Sequence, residues 1–268
     1  KDLESVSYKQ ARYIETQIFS FLTYYQQVSR NGKCFEFGDC SIGNIIFSGA
    51  FLRLRHDFNQ TISEIEREFN PVGRVLNLTQ GENYVLVGLK SDGSYLCNET
   101  EIVSPQNSNV IEEIYLLENY LSEQETQNLA DCDDLESKKN FFTDRSRQPK
   151  LSAEAKSILE TADLIIYGPG TQHSSLFPSY LTEGVGEAIS KNKSAEKVFI
   201  ANTRKDHEIQ GETMVSLCMK LHYYLSRKGE ITLPPEDLVT RYFFQDPEGL
   251  QKKGNNFLNL ESVNFDFP

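Results

Sequence analysis

The 268-residue chain carries 27 lysines and arginines against 39 aspartates and glutamates, a formal net charge of −12, and 38% of its residues are hydrophobic. This length buries enough surface for a core without disulfides or metals, and the composition is that of a globular protein. The acidic excess argues against nucleic acid or an anionic membrane as a partner, because both attract basic surfaces. A small phosphorylated ligand stays compatible with it, since backbone amides and a divalent metal can hold phosphate.

The cysteine pattern indicates a protein of a reducing compartment, and the hydropathy predicts no transmembrane helix. Five cysteines are present, an odd number, and no pair has the C-x-x-C spacing of a zinc or redox site. No apolar run approaches the roughly 18–20 residues of a transmembrane helix. We therefore expect free thiols, a cytoplasmic location and no membrane partner.

Three segments near the start have apolar residues at helical spacing. They cover residues 6–27, 41–54 and 61–69. Thr61 and Glu64 have the spacing of a capping box, which predicts that the third helix begins at Thr61.

After residue 69 the spacing of the apolar residues changes from the helical period to the alternation that is typical of strands. Short strands are predicted at residues 72–76, 84–89, 94–96 and 109–116, and an Asp-Gly pair between the second and the third is typical of a hairpin turn. The section 72–117 is therefore predicted to be small, β-rich and locally antiparallel.

Residues 118–149 are polar and rich in aspartate and glutamate. Calcium-binding loops need a fixed ligand spacing and a glycine turn, and this segment has neither. We interpret it as a mobile surface segment rather than as a metal site, and we assign no metal ligands from the sequence.

The second half of the chain alternates helices and strands. The helices are predicted at residues 153–161, 181–190 and 212–227, and the strands at residues 164–167 and 197–201. This alternation predicts an α/β fold, a Rossmann-like three-layer parallel sheet with helices on both faces, within a single domain of residues 1–268. The residues after Gly229 are expected to wrap the surface or to reach a neighbouring domain.

The strongest candidate for a binding site follows the strand at 164–167. The strand runs directly into Gly168, Pro169, Gly170 and Thr171. Ligands of open α/β sheets bind at the carboxyl ends of strands, and glycines permit positive φ angles and a close approach of the backbone to a ligand. Thr171, Ser174 and Ser175 add hydroxyls that can meet phosphate oxygens. The alternative is a tight turn that binds nothing, because the segment is neither a Walker A motif nor a GxGxxG fingerprint.

A second candidate opens the helix predicted at 41–54. Ser41, Gly43 and Asn44 lie at its start, where free N–H groups and partial positive charge can hold an anion. Ser41 is equally suited to be an ordinary N-cap. The sequence leaves both interpretations open.

A third candidate is Asn202, at the end of the strand at 197–201. It either contacts a ligand or belongs to a turn. His173 follows the first candidate loop closely, so it is either a site residue or an exposed loop or helix residue. No His pair has zinc-binding spacing, and no nucleophile elbow is present, which disfavours covalent catalysis.

Together the three segments resemble the CofD/YvcK family over residues 34–228. Family members carry Gly-His-Ser-x-Gly-Asn at a helix start, where this chain has residues 38–44 with an extra residue and no histidine. They carry Ala-Asp-x-Ile-x-x-Gly-Pro-Gly-Ser followed by Ser and Pro, and this chain has the matching residues 162–171, Ser175 and Pro178. They also carry a strand that ends in Asn and a later Gly-Glu-Thr, as in Asn202 and residues 211–213.

The resemblance implies a protein that binds a nucleotide-linked, phosphorylated small molecule with Mg²⁺. A homodimer is one assembly that we consider, and the sequence leaves the oligomeric state open. In one branch the protein is a 2-phospho-L-lactate transferase, which moves a phospholactyl-type group from a guanylyl-activated donor to a deazaflavin-like hydroxyl. In the other it is a non-catalytic regulator that binds UDP-sugars. A third alternative is an interaction domain of a larger protein.

The resemblance also implies roles for the residues quoted above. Gly168, Gly170 and Thr171 would hold phosphate, Ser41 and Asn44 would contact the ligand from the other helix start, and Asn202 would line the cleft. The family begins with a strand, a Gly-Gly-Thr-Gly turn and an Asp-Asp-Gly-Gly segment, and this chain contains neither motif. We therefore expect the domain to be incomplete at its N-terminus.

Overall fold

The computed structural model describes residues 6–30, 37, 40–104, 110–202, 207–209, 211–245 and 257–259. The sequence predicts one domain, whereas the contacts divide the chain into two compact units, Lys1–Gly81 and Glu82–Pro268. Each unit is described by itself. No helix of the described ranges is long and apolar enough to span a membrane.

The first unit contains the three predicted helices, α1 (Tyr8–Arg30), α2 (Ile42–Arg53) and α3 (Phe58–Phe69). Helices α1 and α2 approach closely at Gly49, where an added Cβ would lie 1.9 Å from the carbonyl oxygen of Gln17. Glycine is therefore required at this crossing, because any side chain would collide with backbone.

Two local predictions for the first unit are wrong. Helix α3 begins after Asp57, whose carboxylate accepts from the Gln60 amide at 2.8 Å, and Thr61 is a buried residue of the helix interior. The stretch 72–76 is not a strand: Val72 is exposed, and the Val75 amide donates to the Glu66 side chain. The apolar alternation there meets no neighbouring strand in the described part of the unit.

The second unit begins with a small antiparallel sheet, as predicted. Its strands are β1 (Val85–Lys90), β2 (Tyr95–Leu96) and β3 (Ile111–Leu117), in the order β2-β1-β3. A short helix, α4 (Glu99–Val103), follows β2. The inward residues of β1 and β3 form part of the core of this unit.

The acidic stretch 118–149 contains two helices that the sequence did not indicate, α5 (Glu123–Ala130) and α6 (Leu135–Arg145). A capping box of Ser122 and Glu125 begins α5. Leu129 and Phe142 are buried in the core cluster with residues of β1 and β3. The stretch is therefore packed at these points, while its mobility stays a prediction. Its few inward apolar residues give too weak a period to reveal a helix.

The main sheet has the order β4-β5-β6-β7, and its first three strands are parallel. The elements follow one another as α7 (Ala153–Thr161), β4 (Leu164–Tyr167), α8 (Phe177–Tyr180), α9 (Val185–Lys191), β5 (Glu196–Ile200), α10 (Met214–Leu225), α11 (Pro235–Leu238), β6 (Arg241–Gln245) and β7 (Phe257–Asn259). The predicted α/β class, with a parallel sheet and a small antiparallel one, is confirmed. The segment after Gly229 does not simply wrap the surface, because it supplies β6 and the antiparallel β7.

Candidate functional site

The candidate site lies at the carboxyl edge of the main sheet. Strand β4 ends at Tyr167 and is followed by residues 168–171, which we call the glycine loop. The parallel strand β5 ends at Ile200, two residues before Asn202. Two of the candidates from the sequence, the glycine loop and Asn202, therefore lie at the same edge of one sheet, where ligands of α/β proteins bind.

Asn202 holds the glycine loop by a reciprocal pair of hydrogen bonds. The Gly170 amide donates to Asn202 Oδ1 at 2.9 Å, and Asn202 Nδ2 donates to the Gly170 carbonyl at 2.8 Å. Gln172 Nε2 adds a bond of 3.2 Å to the same carbonyl. The end of β5 thus fixes the conformation of the turn that ends β4.

The backbone conformation at positions 168 and 170 does not require glycine. The sequence suggested positive φ angles, but neither Gly168 nor Gly170 has one. Among the residues that the structure describes, a Cβ added at Gly168 would meet nothing within 4 Å, and one at Gly170 would make ordinary contact with Leu176 at 3.6 Å. Space beside Gly168 is therefore open, so that a group from outside can approach the backbone closely.

The hydroxyls of Thr171 and Ser175 lie next to each other beyond Gly170. Their Oγ1 and Oγ atoms are 2.7 Å apart, and Ser175 is exposed, as is Pro169. Each hydroxyl can donate one hydrogen bond and accept others. The pair can therefore serve an anionic oxygen from the solvent side of the loop.

Glu208 is a residue of this region that the sequence analysis missed. Its carboxylate is buried, with the residue 3% exposed. One oxygen accepts from the amides of His173 at 2.8 Å and Ser174 at 3.0 Å, and the other accepts from the Ser174 hydroxyl at 2.5 Å. Glu208 stands in a charged stretch typical of a solvated loop, so no sequence signal marks it.

His173 lies in a short helical turn, Gln172–Leu176, and is fully buried, so the alternative of an exposed loop or helix residue is wrong in its exposure. Its Nε2 lies 3.4 Å from Lys220 Nζ and 3.9 Å from a carboxylate oxygen of Glu212, to which Lys220 donates. Burial and the neighbouring Lys220 charge place the pKa of His173 well below its usual range. The ring is therefore neutral at pH 7 and lies in the interior beside the loop.

Ser41, Gly43 and Asn44 lie in the first unit, at the start of α2. The Asn44 amide donates to Ser41 Oγ at 3.1 Å, so the capping interpretation is confirmed. All three residues are exposed. A ligand contact from this helix start stays a prediction.

The residues at the glycine loop do not fit a divalent metal held by protein side chains. Within the described ranges, no group of three or more His, Cys, Asp or Glu residues could hold a metal ion. Mg²⁺ prefers carboxylate oxygens and water. The Glu208 carboxylate beside the loop already accepts from three donors of the chain.

Three curated relatives align with a large part of the chain. A provisionally named gluconeogenesis factor of Thermotoga maritima is 26% identical over 84% of this chain and 60% of its own length. Gluconeogenesis factors of Halalkalibacterium halodurans and Bacillus subtilis are 27% and 26% identical, each over 65% of this chain and over 42% and 44% of their own lengths. The chain thus spans between two fifths and three fifths of these relatives.

The fold is shared with a crystal structure of a UPF0052 family protein from Bacillus halodurans, with a TM-score of 0.55 at 22% identity. The match covers 77% of this chain and 54% of the other. A family model described as 2-phospho-L-lactate transferase CofD matches residues 15–233. Because that match extends over most of the sequence, the chain belongs to the CofD family.

Proposed function

We propose that the chain binds a nucleotide-linked ligand through its phosphate groups at the glycine loop. The observation that carries the proposal is the open space beside Gly168, in a loop that Asn202 holds fixed at the carboxyl edge of the sheet. Neither the φ angle at position 168 nor a close neighbour in the described part of the chain requires glycine there. The absence of a side chain instead lets a phosphate approach the backbone closely. The adjacent hydroxyls of Thr171 and Ser175 supply donors for the phosphate oxygens.

We favour a UDP-sugar as the ligand and a regulatory role for the protein. The three relatives described above are all named gluconeogenesis factors. The family resemblance associates that branch with UDP-sugar binding. The loop offers amides and hydroxyls, which are groups that bind and orient a diphosphate.

The transferase activity is the second candidate, because the matching family model is described by it. In that case the same loop would position the phosphates of a guanylyl-activated donor. Positioning and charge stabilisation are the main contributions of a protein to phosphoryl-type transfer. The two candidates therefore differ in the base, the metal requirement and the acceptor rather than in the role of the glycine loop.

Calorimetric titration with UDP-N-acetylglucosamine and with GDP, each with and without Mg²⁺, distinguishes the candidates. We expect the UDP-sugar to bind more tightly. Tighter and metal-dependent binding of GDP would instead favour the transferase. Binding of neither nucleotide would contradict the proposal and favour an interaction domain.

The Gly168→Ala variant tests whether the glycine loop is the binding site. The added methyl group meets no atom of the described protein, so it occupies only the space assigned to the ligand. We expect at least tenfold weaker binding with an unchanged melting temperature. Gly73→Ala is the matched control, because its Cβ also meets nothing within 4 Å and it lies in the other unit. Equal affinities of the two variants would place the ligand elsewhere.

The remaining expectations stay proposals with their own tests. Ser41→Ala tests a ligand contact at the start of α2, and the Mg²⁺ arms of the titration test the metal. Analytical ultracentrifugation tests the proposed homodimer. Each result is independent of the Gly168→Ala outcome.

A further inference from the structure

The segment that follows β5 holds the loop after β4 at two points. Asn202 makes the reciprocal pair with Gly170, and Glu208 reaches the backbone at His173 and Ser174. Thr171 stands between the two held points. The orientation of Thr171 and of the neighbouring Ser175 therefore depends on both contacts.

The contacts of Glu208 are suited to hold main chain rather than to join side chains. One carboxylate oxygen accepts from two successive amides, which fixes the two peptide planes on either side of the His173 Cα atom. The other oxygen accepts the Ser174 hydroxyl proton, so this hydroxyl is directed at Glu208. Hydrogen bonds in the low dielectric of a protein interior are electrostatically stronger than in water, so burial strengthens these contacts.

Because the Ser174 hydroxyl bonds to Glu208, the hydroxyls of Thr171 and Ser175 pair with each other. Their oxygens are 2.7 Å apart, whereas the oxygens of Ser174 and Ser175 are 3.5 Å apart. The Ser175 and Leu176 amides both donate to the Thr171 carbonyl, so the turn is continuous from residue 171 to 176. A displacement of Ser174 would therefore be transmitted to Ser175.

We propose that Glu208 is a positioning residue of the glycine loop, which holds residues 173–174 so that the Thr171 and Ser175 hydroxyls are aligned for a ligand phosphate. This inference rests on the proposed function for the identity of the ligand. It assigns to Glu208 a role in binding that no signal in the sequence indicates. Glu208 itself contacts the protein and not the ligand.

Amide hydrogen exchange tests the positioning without any ligand. In Glu208→Ala we expect the amides of residues 173 and 174 to exchange at least tenfold faster than in the wild type. Glu208→Gln keeps one acceptor oxygen and is expected to restore most of the protection. The control is Glu113→Gln, another buried carboxylate, which contacts side chains and should leave these two amides unchanged. Unchanged exchange in Glu208→Ala would overturn the inference.

Titration of the same variants with UDP-N-acetylglucosamine and with GDP tests the consequence for binding. We expect Glu208→Ala to weaken binding of the ligand that the wild type prefers by at least tenfold, and Glu208→Gln to weaken it less. Faster exchange with unchanged affinity would overturn the inference, because the ligand would then not need the ordered turn. If the wild type binds neither nucleotide while exchange responds as expected, the proposed function fails and the positioning role is supported.

Discussion

Two buried carboxylates of the second unit, Glu113 and Glu208, have opposite kinds of partner. Glu113, on β3, accepts from the hydroxyls of Tyr115 at 2.7 Å and Tyr223 at 2.9 Å, and it pairs with Lys228 at 2.9 Å. Lys228 also lies over the Tyr115 ring, 3.6 Å from its centre. Glu208 instead accepts from two backbone amides and one hydroxyl of the turn after the glycine loop.

Glu113 connects elements of the core, whereas Glu208 connects to the turn that follows the glycine loop. Glu113 joins β3 to α10 through Tyr223 and to Lys228, three residues beyond the end of that helix, so its side-chain partners fix the packing of whole elements. Glu208 fixes the direction of two amides in a single turn. Burial of a carboxylate therefore does not by itself identify a binding site. The two regions differ in the partners of the buried carboxylate, which are side chains for Glu113 and mainly backbone amides for Glu208.

The largest expected effect is the loss of the Glu113 carboxylate. Glu113→Ala leaves the Lys228 charge and two tyrosine hydroxyls in a buried place without their acceptor. We expect the free energy of unfolding to fall by about 3–5 kcal/mol, as for other broken buried ion pairs. Urea unfolding measures it. A loss below that of Glu208→Ala would remove the distinction between the two carboxylates.

The loss of Glu208 is expected to have a smaller effect on global stability. Glu208→Ala leaves the buried His173 amide without its acceptor, which costs about 1–3 kcal/mol. The Ser174 amide and hydroxyl also lose their acceptor, but they are half-buried and can bond to water instead. The same urea unfolding series measures the change. If the variant unfolded as readily as Glu113→Ala, Glu208 would be part of the core rather than a local contact of the loop.

The third prediction concerns the pH dependence of stability. Burial alone raises the pKa of Glu113, but the charge and hydrogen bond of Lys228 and the bonds of two tyrosines outweigh it and lower the pKa below 4.5. Since the unfolded chain then binds more protons, the stabilisation is present above pH 4.5 and is lost as the pH falls through the folded-state pKa. The slope from this group is at most about 1.4 kcal/mol per pH unit.

Glu113→Gln isolates this contribution, because glutamine does not titrate. We expect its free energy of unfolding to depend less on pH below 4.5 than that of the wild type, in urea unfolding followed from pH 7 to pH 3. Parallel curves for the two proteins would show that Glu113 keeps its ordinary pKa and is not held in its charged form by Lys228.

The smallest expected change in stability is that of Gly168→Ala. Its φ angle is not positive and its Cβ meets nothing within 4 Å, so stability should stay unchanged or rise by up to about 0.4–1 kcal/mol. Gly186→Ala is the contrasting variant, since its Cβ would lie 2.0 Å from the Leu225 carbonyl oxygen and should destabilise the fold. Thermal unfolding of both compares them. A destabilised Gly168→Ala would refute the open space beside the loop.

Much of the fold was predictable from short-range patterns. The βα alternation, the antiparallel section and the helices of the first unit follow from the spacing of apolar residues, and the predicted bounds differ from the observed ones by a few residues. The failures have physical causes. Helices α5 and α6 bury few apolar residues, and strand β6 follows a proline-rich segment that resembles a surface tail. The alternation at 72–76 indicated a strand, but no strand lies beside it in the described part of the first unit.

The glycine loop, its place at a strand end, the helix start near Ser41 and the relation to the family were all predictable from the sequence, because each depends on residues close together in the chain. The sequence left capping and ligand binding by Ser41 both open, and the hydrogen bond from the Asn44 amide showed the cap. The tertiary structure alone decided that His173 is buried and that Glu208 holds the turn, a contact between residues up to 35 positions apart. Such contacts depend on how β4 and β5 are paired in space, and no local spacing encodes that pairing. The fold is thus visible in the periodicity of the chain, whereas the support of its candidate site is visible only in three dimensions.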